Sequence, residues 1–290
     1  MPSAQPIYVV ITPARDEEMW LRLTIESMLA QTLRPAEWVI VNDGSSDGTA
    51  AILREYTGQH RWIRGVERPN RGRRLSGAGV VDAFYEGYHS LQCSDWKFLV
   101  KLDADLSFAP DFFQKAIAHF QAQPRLGIGG ACLYLMANGS AQPETGPRFH
   151  VRGATKIYRR SCWEEIGGIM AAAGWDTVDE VRAGMSGWSS ESFSDLVALH
   201  HRPTGGAGRW RDMIKRGQGS YVAGYHPLFV AARCLRHLGS RPYLLGSLGM
   251  GAGFVSGYLG QVGVQRDLAL VRYVHQQQWK RLWGQVTIWR

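Results

Sequence analysis

The chain has few cysteines, and none of them are paired. Cys93, Cys132, Cys162 and Cys234 lie far apart, with no CxxC unit. That predicts reduced thiols in a cytosolic setting. A targeting segment is missing as well. "MPSAQPIYVVIT" has neither a basic n-region nor a long apolar h-region, so the N-terminus does not read as a signal peptide. No GxGxxG follows the first apolar run, which excludes a dinucleotide-binding turn there. Acidic residues are in deficit, 25 against 33 Lys and Arg, for a net charge of +8 and a pI near 9.5. A basic balance of this kind points to an anionic partner: phosphate, nucleic acid or acidic lipid. Disorder is excluded by a composition that is 45% hydrophobic and 11% aromatic. The 290 residues suffice for one large domain, or one domain with an appendage.

The first half alternates between two periodicities. Ile7 to Ile11, Trp38 to Val41, Ile63 to Val66 and Phe98 to Leu102 are short β-prone runs. Between and after them, Leu21/Ile25/Met28/Leu29, Ile52/Leu53/Tyr56, Val81/Phe84/Tyr85/Tyr88 and Phe112/Phe113/Ala116/Ile117/Phe120 fall at helical spacing. The pattern predicts an α/β fold with a mostly parallel central sheet and helices on both faces. Ligands of such sheets bind outside the carboxyl ends of the strands. Acids stand at those ends. Asp43 follows the second run within "NDGSSDGT", a dense turn signal, and "VKLDADLSFAP" places Asp103 and Asp105 after the fourth. Carboxylates closing a buried strand require a cation or exposure at a sheet edge. Asp103 and Asp105 share a strand face or converge where the strand becomes a loop, and two carboxylates suit a hard divalent cation such as Mg2+ or Mn2+. Asp is also a common helix cap and turn residue, so each acid alone has a structural alternative.

"VVITPARDEE", "VIVNDGSSDGT" and "VKLDADLSFAP", in that order, resemble the family 2 glycosyltransferases of the GT-A fold. The resemblance covers the chain through Pro110 and continues more weakly to around residue 225. It implies that Asp103 and Asp105, with Ala104 between them, hold a metal against the diphosphate of a nucleotide-sugar donor. It also implies that Asp43 contacts the base or ribose, and that Pro13, Ala14 and Asp16 or Glu17 line the nucleoside pocket. "NRGRRLSGAG" sits where the family carries a glycine-bearing loop, so Arg71, Arg73 and Arg74 would meet phosphates. Inverting transfer needs a carboxylate to take the acceptor's proton. Family members carry Glu-Asp at a helix start for this, whereas "GWDTVDEVRAGMSGW" has Trp175 at the Glu position. Gly187 follows Asp176 by the family's eleven positions, and Arg182 falls on its basic position, so Asp176 is the expected base, with Asp179 one helical turn on as the alternative. In "HHRPTGGAG", His200 or His201 would be a metal ligand and Arg202 would meet the diphosphate, with the glycine-rich stretch as a lid. The QxxRW motif of processive polysaccharide synthases is missing, which implies single addition.

The last third differs. Tyr243 to Gln265 runs 23 residues without a charge, long enough to span a bilayer, but it is rich in glycine and poor in bulky apolar residues. Gly249, Gly253 and Gly257 are spaced for close helix contact. Arg209, Arg211, Lys215, Arg216, Arg233, Arg236 and Arg241 precede it, interleaved with aromatic residues, and "VRYVHQQQWKRLWGQ" reads as a basic amphipathic helix. Interfacial or re-entrant helices on an anionic membrane surface are expected ahead of one full span, with a buried helical hairpin at an oligomer interface as the soluble alternative. The expected division is a GT-A domain over residues 1–225 and a helical, membrane-associated region over 226–290. Residues and resemblance together give a metal-dependent, inverting transferase at the cytoplasmic face of the cell membrane. The acceptor would be a saccharide or lipid-linked saccharide of surface polysaccharide assembly, with no nucleic acid as partner. Two other readings stand beside it: a sugar nucleotidyltransferase, and a non-enzymatic basic module that binds membrane or nucleic acid.

Overall fold

The computed structural model describes residues 6–72, 78–137, 140–144, 149–171, 174–202, 209–239, 243–260 and 267–289. The chain begins with β1 (Tyr8–Ala14), α1 (Leu21–Leu29), β2 (Glu37–Asn42), α2 (Thr49–Gln59), β3 (Ile63–Glu67), α3 (Ala78–His89) and β4 (Phe98–Leu102). It continues through β5 (Leu106–Phe108), α4 (Phe112–Ala122), β6 (Leu126–Ala137), β7 (Ser140–Pro143), β8 (Thr155–Arg159), α5 (Arg160–Ile166), α6 (Trp175–Met185) and β9 (Ser189–His200). Four helices close it: α7 (Arg209–Val222), α8 (Pro227–His237), α9 (Tyr243–Leu259) and α10 (Leu268–Leu282).

Alternation along the strands sorts the core into two layers. Tyr8, Val10, Ile40 and Val100 face α1, α2 and α4, packing with Leu21, Ile25, Ile52, Phe113 and Phe120. Val9, Ile11 and Leu99 face the other way, onto Val81 and Phe84 of α3 and Cys162 and Trp163 of α5. Because both faces are covered, these strands read as continuous apolar runs, as parallel strands buried on two sides must. Leu21, Thr24, Ile25 and Met28 are the buried stripe of α1, at the period of a helix lying on a sheet.

The sheet runs β3-β2-β1-β4-β8-β6-β9-β5, with β7 on β6. Its first four strands are parallel. Beyond β4 the sheet is mixed: β8 pairs antiparallel with β4 and β6, β6 lies parallel to β9, and β5 is antiparallel to β9. The expectation of a mostly parallel sheet therefore holds only for the N-terminal half. Apolar patterning carries no information on strand direction, which depends on the edge at which each connection re-enters the sheet. Pairing Leu106 with His200 brings the end of β9 to the end of β4.

The C-terminal helices pack on α6 and on each other. α10 buries Leu270 and Val274 against Val178 and Val181 of α6. α9 lies against α7 through the glycine row. A Cβ on Gly253 would come within 2.1 Å of the Ile214 carbonyl oxygen, and one on Gly217 of α7 within 2.1 Å of the Met250 carbonyl oxygen. Among the described residues no helix is long and apolar enough to cross a membrane. The full-span alternative for residues 243–265 thus has no support there, since α9 ends at Leu259.

Candidate active site

Two turns at the carboxyl edge of the parallel strands are sewn together. Asp16, after β1, takes a positive φ of 55°, tolerated by Asp where its side chain bonds locally. Its Oδ1 accepts from the Ser46 N–H at 2.8 Å, and its own N–H donates to Ser45 Oγ at 3.0 Å. Glu18 accepts from the Gly48 N–H at 2.9 Å, and Thr49 Oγ1 accepts from the Glu17 N–H at 2.8 Å. Gly44 must be glycine. Its φ is +67°, and a Cβ would sit 2.4 Å from the Asn70 Cα. Much of "DGSSDGT" is therefore spent on turn geometry. Asp43 has a different environment. Its buried carboxylate accepts from Arg68 Nη1 at 2.7 Å and from Arg71, and its carbonyl oxygen accepts from Arg15 Nη1 at 2.7 Å. Pro13 and Ala14 end β1 directly opposite Val41 and Asn42 of β2.

Asp103, Asp105 and His200 converge next to this edge. One donor atom from each lies within 4.8 Å of the others. The chain turns after Leu102, and the Asp103 N–H donates to the Ala154 carbonyl oxygen at 2.8 Å. His200 Nε2 is 3.3 Å from Asp105 Oδ2. Its Nδ1 is buried and has no hydrogen-bond partner among the described residues. Burial pulls the His200 imidazole down, but Asp105 and then Asp103 outweigh this and raise its pKa. Burial likewise would raise Asp105, yet His200, followed by Arg202 and Lys101, holds it below the usual carboxylate range. Two carboxylates and an imidazole with an orphaned nitrogen make a donor set that fits a divalent cation. Asp103, Asp105 and His200 would be its ligands. Arg202 bridges inward, with Nε 3.5 Å from Asp105 Oδ2 and Nη2 on Glu17.

His201, the other expected histidine ligand, is not brought to this cluster. Its Nε2 sits 2.8 Å from Ser107 Oγ, and its ring stacks on Trp20 at 5.4 Å. Consecutive residues of an extended chain point to opposite sides, so only one of the pair can face the acids. Arg73, Arg74 and the glycine-rich stretch at 203–208, expected as a lid, lie outside the described residues.

Asp176 and Asp179 also separate. Asp176 stands in the first turn of α6, its side chain 29% exposed. Asp179 is fully buried and accepts from Lys156 Nζ at 2.7 and 2.9 Å and from the Tyr158 hydroxyl. Burial pushes its pKa up to about 6, with Lys156 opposing. Of the two expected bases, Asp179 is thus the enclosed one and Asp176 the one open to solvent. Lys156 also donates to the Asp176 carbonyl oxygen, which pins the start of α6 to β8. Trp175 lies between two buried lysines, its ring centre 5.4 Å from Lys156 Nζ and 5.6 Å from Lys101 Nζ. Lys101 in turn bonds Asp103. Trp175, the residue before Asp176, is thus in contact with the lysine that bonds Asp103.

Sequence reasoning missed Lys101, Lys156 and Arg68. A lysine inside "FLVKL" or "TKIYR" was the available signal, because a charge in a buried strand must have a partner.

The family model described as glycosyl transferase family 2 matches residues 9–170. The chain belongs to this family. Among relatives of the transferase, the chondroitin synthase of Pasteurella multocida is 27% identical over 150 residues, covering 48% of this chain but 14% of that protein. The glycosyltransferase GlyA of Streptococcus pneumoniae is 36% identical over 121 residues, 41% of this chain and 16% of its own. The match therefore spans only about a seventh of these relatives. Of solved structures, the mannosyltransferase PcManGT from Pyrobaculum calidifontis, in complex with GDP-Man and Mn2+, superposes with a TM-score of 0.60 at 17% identity, covering 98% of this chain and 89% of that one. S. aureus TarS 1–349 in complex with UDP-GlcNAc superposes at 0.53 and 15% identity, covering 96% and 80%. At such identities the likeness is one of fold, and the fold is GT-A.

Proposed function

We propose that this family 2 transferase moves a sugar from a nucleotide-sugar donor to an acceptor hydroxyl with inversion at the anomeric carbon, in a metal-dependent reaction. The observation that carries the reading is the Asp103/Asp105/His200 cluster at the strand edge, where the Asp43 arginine clamp also stands, together with the partly exposed Asp176. A divalent ion held there would neutralise charge on the departing nucleoside diphosphate. Asp43, Arg68 and Arg71 bind the nucleoside end of the donor, and Arg202 meets the diphosphate. Asp176 removes the proton from the acceptor hydroxyl as its oxygen attacks the anomeric carbon and the bond to the diphosphate breaks. Asp179 and Lys156 hold the helix that carries the base. The likeness to proteins solved with GDP-Man and with UDP-GlcNAc supports a nucleotide-sugar donor.

The acceptor in this reading is a lipid-linked saccharide of surface polysaccharide assembly at the inner face of the cell membrane. Its support is the outer surface of the helical region 226–290. Leu244, Leu248, Val255 and Leu259 form an exposed stripe on α9, and Leu235 and Leu238 are exposed on and just after α8, which also carries Arg233 and Arg236. Exposed apolar residues and arginines on one helical region match an anionic bilayer surface. The deciding experiment screens nucleotide sugars, GDP-mannose and UDP-GlcNAc among them, by thermal shift with and without Mn2+. One donor should raise Tm, more strongly with Mn2+. No shift with any donor under either condition would sink the reading.

A further inference from the structure

Behind Asp176 lies a histidine that the proposed chemistry leaves unused. His150 enters from the segment before β8. Its Nδ1 is 3.1 Å from Glu180 Oε2, and its Nε2 is 3.9 Å from Asp176 Oδ2. Its main chain is held as firmly as its ring. The His150 carbonyl oxygen accepts from Ser192 Oγ at 2.8 Å, and the next N–H, of Val151, donates to Glu180 Oε1 at 2.7 Å. Glu180 is itself buried, 3.2 Å from Lys156 Nζ. Asp176 and Glu180 lie four residues apart on α6 and so flank one imidazole, one carboxylate per ring nitrogen.

We propose that His150, gripped by Glu180, is the positioning residue of Asp176: its ring, held on one side by Glu180, orients the base carboxylate on the other. The inference rests on the reading of Asp176 as base. An imidazolium this close to a carboxylate attracts it and restricts its rotamers. Glu180 is the group that keeps the imidazole charged. Burial pulls His150 down, and Glu180 first and Asp176 after it more than offset that, so His150 titrates above the ordinary histidine value. Among the described residues, other charged or titratable groups around this pocket include Asp179 on α6, Lys156 and Tyr158 on β8, Tyr225 after α7 with Arg233 of α8, and Arg281 of α10 against Phe149. Lys156 opposes the imidazolium, and Asp179 and Glu180 engage it.

Two measurements test this. The first needs no activity: NMR titration of the His150 ring protons in the wild type, Asp176→Asn and Glu180→Gln. Both variants should lower the His150 pKa, by about one unit or more. An unchanged titration in Asp176→Asn overturns the coupling. The second is the steady-state kinetics of nucleoside-diphosphate release from the donor found in the thermal-shift screen, with Mn2+ present and water as acceptor. His150→Gln and Glu180→Gln should each lower kcat by about tenfold or more with the donor KM nearly unchanged. A purely structural role would lower Tm and leave kcat of the folded protein in place, and that outcome also overturns the proposal. Should His150→Gln fail to fold, the Glu180→Gln kinetics and the Asp176→Asn titration decide it. If Asp176→Asn shifts His150 yet releases nucleoside diphosphate at the wild-type rate, the pair is coupled and the assignment of Asp176 as base is what fails.

Discussion

Asp176 and Asp179 stand one helical turn apart and have opposite surroundings, so their variants should fail in different ways. Asp176→Asn should lower turnover by about 100- to 10,000-fold with donor affinity nearly unchanged, because a base acts in the transition state and adds little to donor binding. Asp179 is enclosed with Lys156, and its loss should be read in stability. Lys156→Met would strand Asp179 and Glu180 without their cation, a change of the kind that costs about 3–5 kcal/mol, measurable by urea unfolding. A normal midpoint in Lys156→Met would show that the buried pair is not what holds α6. At the acidic cluster, Asp103→Asn and Asp105→Asn should keep the fold and abolish Mn2+-stimulated binding of nucleoside diphosphate. Full binding in both variants by calorimetry would remove the metal assignment.

At the scale of elements, the α7–α9 pair depends on glycine. Backbone faces backbone where Gly217 meets Met250 and Gly253 meets Ile214, leaving no room for a methyl group. Gly253→Ala should therefore force the helices apart at a cost of about 1–3 kcal/mol, seen as a lower unfolding midpoint and faster amide exchange along α7 and α9. The same substitution at Gly239, where a Cβ would meet nothing within 4 Å, should leave that midpoint in place. Close contact on the glycine face turns the leucine face outward. One helix thus supplies both a protein contact and an exposed apolar stripe. Spacing of the glycines alone allowed either a bilayer partner or a protein partner for that face, and the packing against α7 shows that it is protein.

For the molecule as a whole, the outward stripe and the net charge of +8 predict attachment to phosphatidylglycerol vesicles that salt weakens only in part. Replacing Leu244, Leu248 and Leu259 together with Ser should leave the protein in the supernatant after sedimentation, while the wild type pellets at low salt. A wild type that stays in the supernatant would refute the membrane surface. The sequence by itself determined the alternation of strands and helices through Ala122, the acids at the strand ends and the family, because burial period, turn chemistry and motif spacing are local properties. Only the tertiary structure decided the remainder. Whether β8 runs with or against β4, which histidine of the His200–His201 pair faces Asp105, and which acid of α6 is enclosed by Lys156 all depend on segments distant in sequence meeting in one register. Local pattern is blind to that register. Pairing Leu106 with His200 rather than with its neighbour turns one imidazole toward the acids and the other onto Trp20, a choice made by the sheet and not by either histidine.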